Sequence, residues 1–278
     1  MAAGWEGVTG ALARVTDVQW SVRVLDAVTR QELYAVSPDL VLPTASVGKL
    51  LLLLTVAAQL EAGELTPAMP LLRAPEDAVA DSGLWQHMTA DELSVHDLAT
   101  FVGAVSDNYA TNVLLRAAGL DAVDRVTAAL GLKATRLHDR VRDHRTAQDP
   151  PTLSEGTAGE LANLMAELHH GEALGPEVSE RVLGWLAAGA DLSMVPEPLH
   201  LDPLAHADGD RGVRLWHKTG TDDGTRADVG LLQAGERALA WAALCLWDPA
   251  GPDRRDDALA VMHAIGAALR EQLGGALR

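Results

Sequence analysis

Three lysines occur in the 278 residues, and two of them close short motifs: Ser46-Val47-Gly48-Lys49 and Lys218-Thr219-Gly220, with Ser106-Asp107-Asn108 between them. A serine hydroxyl is a poor nucleophile until a neighbouring base takes its proton, and a helix puts residue i+3 on the same face as residue i. Lys49 can therefore reach Ser46. An ammonium is not a base, so Lys49 has to lose its proton readily, and both desolvation and a second cation such as Lys218 lower a lysine pKa. A helix start also aims backbone N–H groups at an attacked carbonyl, where an oxyanion develops. Taken alone, Ser46 to Lys49 reads more readily as a helix-capping serine with a solvated lysine one turn on. The three motifs in this order point to acyl transfer with a serine nucleophile.

The remaining motif residues divide by role. Ser106 is placed to shuttle a proton towards a leaving nitrogen, Asn108 to hydrogen-bond a substrate amide, and Asp107 to cap the helix that follows. In His217-Lys218-Thr219-Gly220-Thr221, a glycine at a strand end signals close approach by another backbone. With a ligand present, that approach becomes carbonyl recognition along a strand edge, and Thr219 or Thr221 can bind a carboxylate.

The elements that must position these residues follow from periodicity. Residues 18–24 and 31–36 are β-rich around Asp26-Ala27-Val28-Thr29, which predicts a hairpin. Pro43-Thr44-Ala45 leads into Ser46 and a Leu/Ala-rich helix to about Glu61, stopped by Gly63. Between Thr89 and Gly119 two helices are expected, the first opened by the capping-box candidates Thr89-x-x-Glu92 and Ser94-x-x-Asp97, with Ser106 in their connection. Helical spacing recurs over 121–131, 159–170 and 177–188, whereas the charged, proline-ended stretch 139–151 reads as a loop. Strands are expected at 214–218, 227–233 and 239–247, followed by an amphipathic helix over 258–272.

Strands at both ends of the chain enclose a block of helices. The fold class is therefore α+β, an antiparallel sheet flanked by helices plus an all-helical lobe. The expected division gives residues 1–44 and 192–278 to the sheet lobe and 45–191 to the helical lobe, with the active site at their interface.

Composition excludes other classes. With 48% hydrophobic residues and a formal charge of −17, the chain can bury a large core and offers no basic stripe for nucleic acid. The apolar run from Leu50 is about half of the roughly 20 residues a membrane-spanning helix needs. The stretch from Met1 to Glu6 lacks a basic leader region, so the chain as written is expected to be cytoplasmic, and exported if a leader was trimmed. One cysteine, Cys245, sits in an apolar run, and ten histidines show no ligand-pair spacing. No disulfide, metal or other cofactor is expected.

In these three motifs the chain resembles the class A β-lactamases and their penicillin-binding relatives, the group defined by S-x-x-K, S-D-N and K-T-G. Sixty residues separate Ser46 from Ser106, similar to the family spacing, and the run from Lys218 to Gly230 looks like the family's strand and turn. The resemblance implies a serine β-lactamase/transpeptidase-like fold and a small-molecule β-lactam or related acyl substrate. It further implies Ser46 as nucleophile, Lys49 as proton acceptor and Ser106 as proton shuttle. Asn108, Lys218, Thr219, Gly220, Thr221 and Arg226 would meet the substrate, with the Ser46 and Thr221 amides forming the oxyanion hole.

One departure matters. Where class A enzymes carry a water-activating glutamate in an R-x-E run, this chain has Asp139-Arg140-Val141-Arg142, and a guanidinium stays protonated at any working pH. Impaired or altered deacylation is expected, with Asp143 and Glu155 as nearby carboxylates that can substitute. The alternatives are an esterase, amidase or transacylase acting on a biosynthetic intermediate, and a binding or sensing protein that is acylated once without turnover.

Overall fold

The computed structural model describes residues 4–205 and 209–274. Residues 1–3, part of the stretch read for an export leader, and residues 206–208 and 275–278 of the expected sheet lobe lie outside the described residues. Helix α1 (Trp5–Leu12) precedes strands β1 (Gln19–Asp26) and β2 (Glu32–Val36). Asp26 closes this hairpin: its carboxylate accepts the Val28 and Thr29 amides at 3.0 and 2.8 Å, the side-chain turn for which aspartate is suited.

Next come β3 (Leu42–Pro43), a 3-10 turn (Ala45–Gly48), α2 (Lys49–Glu61), β4 (Pro70–Leu72), β5 (Glu92–Ser94), α3 (Val95–Val105), α4 (Asn108–Ala118) and α5 (Leu120–Ala129). They are followed by β6 (Arg136–Leu137), β7 (Ser154–Gly156), α6 (Ala158–His170), α7 (Pro176–Leu186), β8 (Arg214–Asp222), β9 (Thr225–Ala234), β10 (Arg237–Leu246) and α8 (Arg255–Leu273).

The main sheet has the order β2-β1-β10-β9-β8, and every neighbouring pair is antiparallel. Pairing of β1 with β10 from Gln19↔Leu246 to Asp26↔Leu239 joins the two ends of the chain in one sheet, the α+β arrangement expected from strands at both ends. Side chains on β10 alternate with the pleat. Leu239, Trp241, Ala243 and Cys245 share a core with residues of α1 and α8, while Ala240, Ala242 and Leu244 join the core of the helical block.

One helix arises that no sequence pattern marked, and one local expectation fails, each for an identifiable reason. Helix α1 carries two glycines in eight residues and no strong propensity. It forms because Trp5, Val8 and Ala11 are buried, with Trp5 stacked on Tyr34 at 5.1 Å. Of the two capping-box candidates only Ser94 caps α3, accepting the Asp97 amide at 3.1 Å. The Thr89 candidate opens no helix, because Glu92 to Ser94 pair as β5 with β4 before the helical turn begins.

Helix α2 is the axis of the helical block. Every residue from Lys49 to Ala57 is buried, the pattern of a helix enclosed on all sides rather than amphipathic. Among the described residues no helix is long and apolar enough to cross a membrane. Leu53 is fully buried on this axis, so Leu53→Ala should cost about 2–5 kcal/mol in urea unfolding. A loss below about 1 kcal/mol would show that α2 does not organise the core.

Candidate active site

The nucleophile candidate sits on the 3-10 turn rather than on the α-helix, which begins at Lys49. A 3-10 turn eclipses residues i and i+3, so Ser46 and Lys49 still leave the backbone on the same side. Ala45, just before the serine, has φ 46°, a left-handed conformation that costs a non-glycine residue on the order of 1–3 kcal/mol. The turn lies against the edge strand β8, where a Cβ on Gly220 would collide with the Thr44 carbonyl and crowd the Ser46 and Val47 amides. Gly220 is thus the close backbone approach that the K-T-G motif predicts. Ser46 lines a cleft of about 670 Å3 between β8, the helical block and the 138–153 loop. Among the described residues its hydroxyl has no hydrogen-bond partner, so the direct Ser46–Lys49 bond expected from the motif is not formed.

Lys49 is fully buried and turned towards the junction of α3 and α4. Its Nζ lies 2.7 Å from the Ser106 carbonyl, 2.6 Å from Asn108 Oδ1 and 3.2 Å from Ser106 Oγ. Lys218 Nζ approaches the same hydroxyl at 2.9 Å and donates to the Thr219 carbonyl at 2.8 Å. Ser106 Oγ therefore stands between two lysine nitrogens. A hydroxyl has one proton to give, and two ammonium groups would leave that proton without an acceptor here. A neutral Lys49 fits all three contacts, with two N–H bonds to the two carbonyl oxygens and a lone pair for the Ser106 hydroxyl.

Electrostatics assign the same states. Burial, then the charge of Lys218, pushes the Lys49 amine well below its ordinary value, against smaller opposing effects of Asp107 and Asp81. Burial brings Lys218 down to about 8, while Asp191 and Asp228 favour its charged form. At pH 7 Lys218, at about 8, is mostly protonated, while burial and the charge of Lys218 favour the neutral form of Lys49.

The S-D-N segment is held by its middle residue. Ser106 is left-handed at φ 56°, and Asp107 caps α4 through the Ala110 amide at 2.9 Å while also accepting the Leu84 and Trp85 amides at 2.7 and 2.8 Å. Asn108 lines the cleft but is mostly buried; its Oδ1 is taken by Lys49 and its Nδ2 donates to the Ala80 carbonyl at 3.2 Å. Lys218, Thr219 and Thr221 line the cleft along β8. Arg226 does not: it pairs opposite Thr221 on β9, donates to the Asp222 and Thr225 carbonyls at 3.0 and 2.7 Å, and lies over Trp247. Trp85 is fully buried behind the S-D-N segment, with its Nε1 on the Ala90 carbonyl.

In the 138–153 loop the arginines form a staple. Arg142 contacts Asp139 at 2.5 Å and Asp149 at 3.2 Å, and Arg145 contacts Asp139 at 3.0 Å. Burial pushes the Asp139 carboxyl up, but hydrogen bonds from Arg142, the Arg140 amide and Arg145 outweigh it and leave Asp139 below the usual carboxylate range. Both Arg142 and Arg145 line the cleft. Of the two substitute carboxylates, Asp143 lines the cleft and accepts the Ala80 amide at 2.8 Å, whereas Glu155 pairs with His138 at 3.2 Å away from the cleft lining.

Asp81, Asp191 and His217 also line the cleft, and the sequence reading gives them no chemical role. Burial raises the Asp191 carboxyl, but bonds from Ser193 and Thr219 and the nearby His217 hold it low. His217 Nδ1 lies 3.4 Å from the buried Asp228. Among the described residues no group of three or more His, Cys, Asp or Glu side chains is placed to hold a metal ion.

With this geometry described, comparison with known proteins gives consistent matches. The model of the β-lactamase enzyme family matches residues 8–273. A β-lactamase of Streptomyces lavendulae is 35% identical over 109 residues, which are 38% of this chain and 35% of the relative; the match spans about a third of that relative's length. A β-lactamase from Sphaerobacter thermophilus DSM 20745 shares the fold with a TM-score of 0.84 at 24% identity, covering 97% of each chain. A variant of PBP-A, solved as an acyl-enzyme complex with penicillin G, shares it with a TM-score of 0.78 at 18% identity, covering 97% of this chain and 95% of that one.

The lysine assignment has a direct spectroscopic test. In a Lys133→Arg variant only Lys49 and Lys218 give 13Cε/15Nζ lysine signals. The Lys218 signal should titrate with a midpoint near 8, and the Lys49 signal should be that of a free amine at pH 7. Two ammonium signals at neutral pH would contradict it.

Proposed function

Because the chain belongs to the β-lactamase enzyme family, we propose that it is a serine hydrolase of the class A type, opening a β-lactam or a related amide or ester through an acyl-Ser46 intermediate. The observation that supports this most is Ser106 Oγ bridging the buried Lys49 and Lys218 nitrogens in the cleft that Ser46 lines.

In the proposed acylation, Lys49 exchanges its contact with the Ser106 hydroxyl for one with Ser46 when the acyl group occupies the cleft, since such bonds tighten with substrate. Ser46 Oγ attacks the carbonyl carbon while its proton passes to Lys49. The C–N bond breaks as Ser106 gives its proton to the leaving nitrogen, and Lys49 returns a proton to Ser106, so the amine ends neutral. The Ser46 and Thr221 amides hold the oxyanion. Lys218 keeps Ser106 oriented, and its remaining N–H, with Thr219 and Thr221, meets a substrate carboxylate. The two lobes act here as one catalytic unit with the cleft between them.

Deacylation needs water activated by a base. The residue at position 142 is a guanidinium committed to Asp139 and Asp149 and cannot serve. Asp143 is the substitute with access to the cleft. We infer a slowly released acyl-enzyme, which also favours the second reading, a protein acylated once per chain.

Intact-mass measurement during incubation with penicillin G should show one adduct per chain on Ser46, absent in Ser46→Ala, and outlasting its own formation by at least about tenfold. Hydrolysis of p-nitrophenyl esters with no β-lactam adduct would move the assignment to an esterase. Absence of both adduct and hydrolysis would refute a serine acyl-transfer site.

A further inference from the structure

Behind the nucleophile lies a pair of hydroxyls that do not line the cleft. Ser154, at the start of β7, is fully buried, and so is Thr44 to within 1%. Ser154 Oγ donates to the Ala45 carbonyl at 2.6 Å, and Thr44 Oγ1 lies 2.7 Å from Ser154 Oγ. The direction of the second bond follows from the first. A carbonyl only accepts, so Ser154 spends its single proton on Ala45 and Thr44 must be the donor to Ser154. The chain runs Thr44 to Ser154 to the Ala45 carbonyl, and such chains polarise each member in turn. Backbone pairing fixes the two residues further: the Thr44 amide donates to the Ser154 carbonyl at 3.0 Å. A Cβ on Gly48 would collide with the Ser154 side chain, so the packing leaves that side chain little freedom.

The Ala45 carbonyl and the Ser46 N–H belong to the same peptide unit. In a planar trans peptide the two point in opposite directions. Anchoring the carbonyl on the buried side therefore aims the Ser46 N–H away from Ser154. Ala45 itself is left-handed at φ 46°, a conformation that persists only where surrounding contacts over-determine it. The two hydroxyls supply those contacts.

We propose that Ser154 is a positioning residue for acyl transfer: with Thr44 as its own donor, it locks the Ala45–Ser46 peptide so that the Ser46 amide faces the oxyanion. The inference rests on the acyl-Ser46 reading above and adds a device that ties the end of the 138–153 loop to the nucleophile turn. It acts through the peptide plane and touches no substrate.

The test measures acylation rate, the dissociation constant of the preceding non-covalent complex, and inhibition by an arylboronic acid, whose tetrahedral adduct on Ser46 places an oxygen at the oxyanion position. Ser154→Ala should slow acylation by about 10- to 100-fold, less than or equal to the loss of a whole oxyanion donor, and weaken the boronic acid by a similar factor. Non-covalent binding should change by less than about threefold, because ground-state and transition-state contacts are separated.

Thr44→Val, which keeps the shape and removes only the donor, carries the test if Ser154→Ala fails to fold; it should lose about three- to tenfold in the same two readouts. Thr44→Ser should recover most of that loss. A merely structural role lowers the melting temperature while leaving acylation and boronate inhibition of the folded protein unchanged, and that result would overturn the proposal. Equal weakening of the non-covalent complex would overturn it too. If the wild-type chain neither acylates nor binds the boronic acid, the functional reading itself fails and this inference falls with it.

Discussion

A lysine buried without a carboxylate in contact sets the terms for the rest of the molecule. Lys49 begins a helix whose next eight residues are buried, so its side chain cannot reach water. Removing an ammonium from water costs several kcal/mol even after relaxation. The oxygens that meet it, the Ser106 carbonyl, Asn108 Oδ1 and Ser106 Oγ, are all uncharged. They satisfy the hydrogen-bonding capacity of an amine without neutralising a cation. A second buried lysine behind the same hydroxyl penalises the charged form again. The leucine-rich packing of α2 thus bears on the proposed chemistry, because it keeps the Lys49 nitrogen dry.

Holding that arrangement requires backbone in unfavourable places. Ala45 and Ser106, which both line the cleft, are both left-handed, and each costs on the order of 1–3 kcal/mol. Buried groups outside the cleft lining fix each of them. Asp107 accepts three amides at the second site, and Thr44 and Ser154 clamp the first. The edge strand then passes close enough to the nucleophile turn that only a glycine fits at position 220. Local strain and tight packing here keep two turns from relaxing away from each other.

The loop over the cleft follows a different logic. Its core is an ion-pair cluster, with Asp139 receiving both Arg142 and Arg145 and Asp149 reaching Arg142. Such a cluster fixes loop shape, and with arginine at its centre it spends the position on structure rather than on a base. The cleft consequently combines Ser106 held between two lysines with a wall of paired charges. That contrast underlies the separation proposed between acylation and release.

Much was legible from residue order because the signals are local. Spacing i to i+3 put Ser46 and Lys49 on one side of a turn, apolar runs marked β8, β9 and β10, and Ser94 with Asp97 marked the start of α3. Asp26 fixed the first hairpin by bonding to amides two and three residues on. Where a pattern had to compete with pairing elsewhere it misled. The Thr89 cap lost to the β4–β5 ladder, and the glycine-bearing α1 forms only by packing Trp5 and its neighbours. Arg226, a substrate contact implied by the family resemblance, lies on β9 with its guanidinium on the Asp222 and Thr225 carbonyls.

The sequence by itself determined which residues could carry acyl chemistry and the α+β class, since both rest on side-chain identity and on periods of two to four residues. Only the tertiary structure decided that Lys49 turns to Ser106 instead of Ser46, that Asn108 is committed at both ends, and that Asp81, Asp191 and His217 enter the cleft. It alone brought Ser154 within reach of a peptide 109 residues away in the chain. Contacts across such separations depend on how whole elements pack, and no local spacing encodes them.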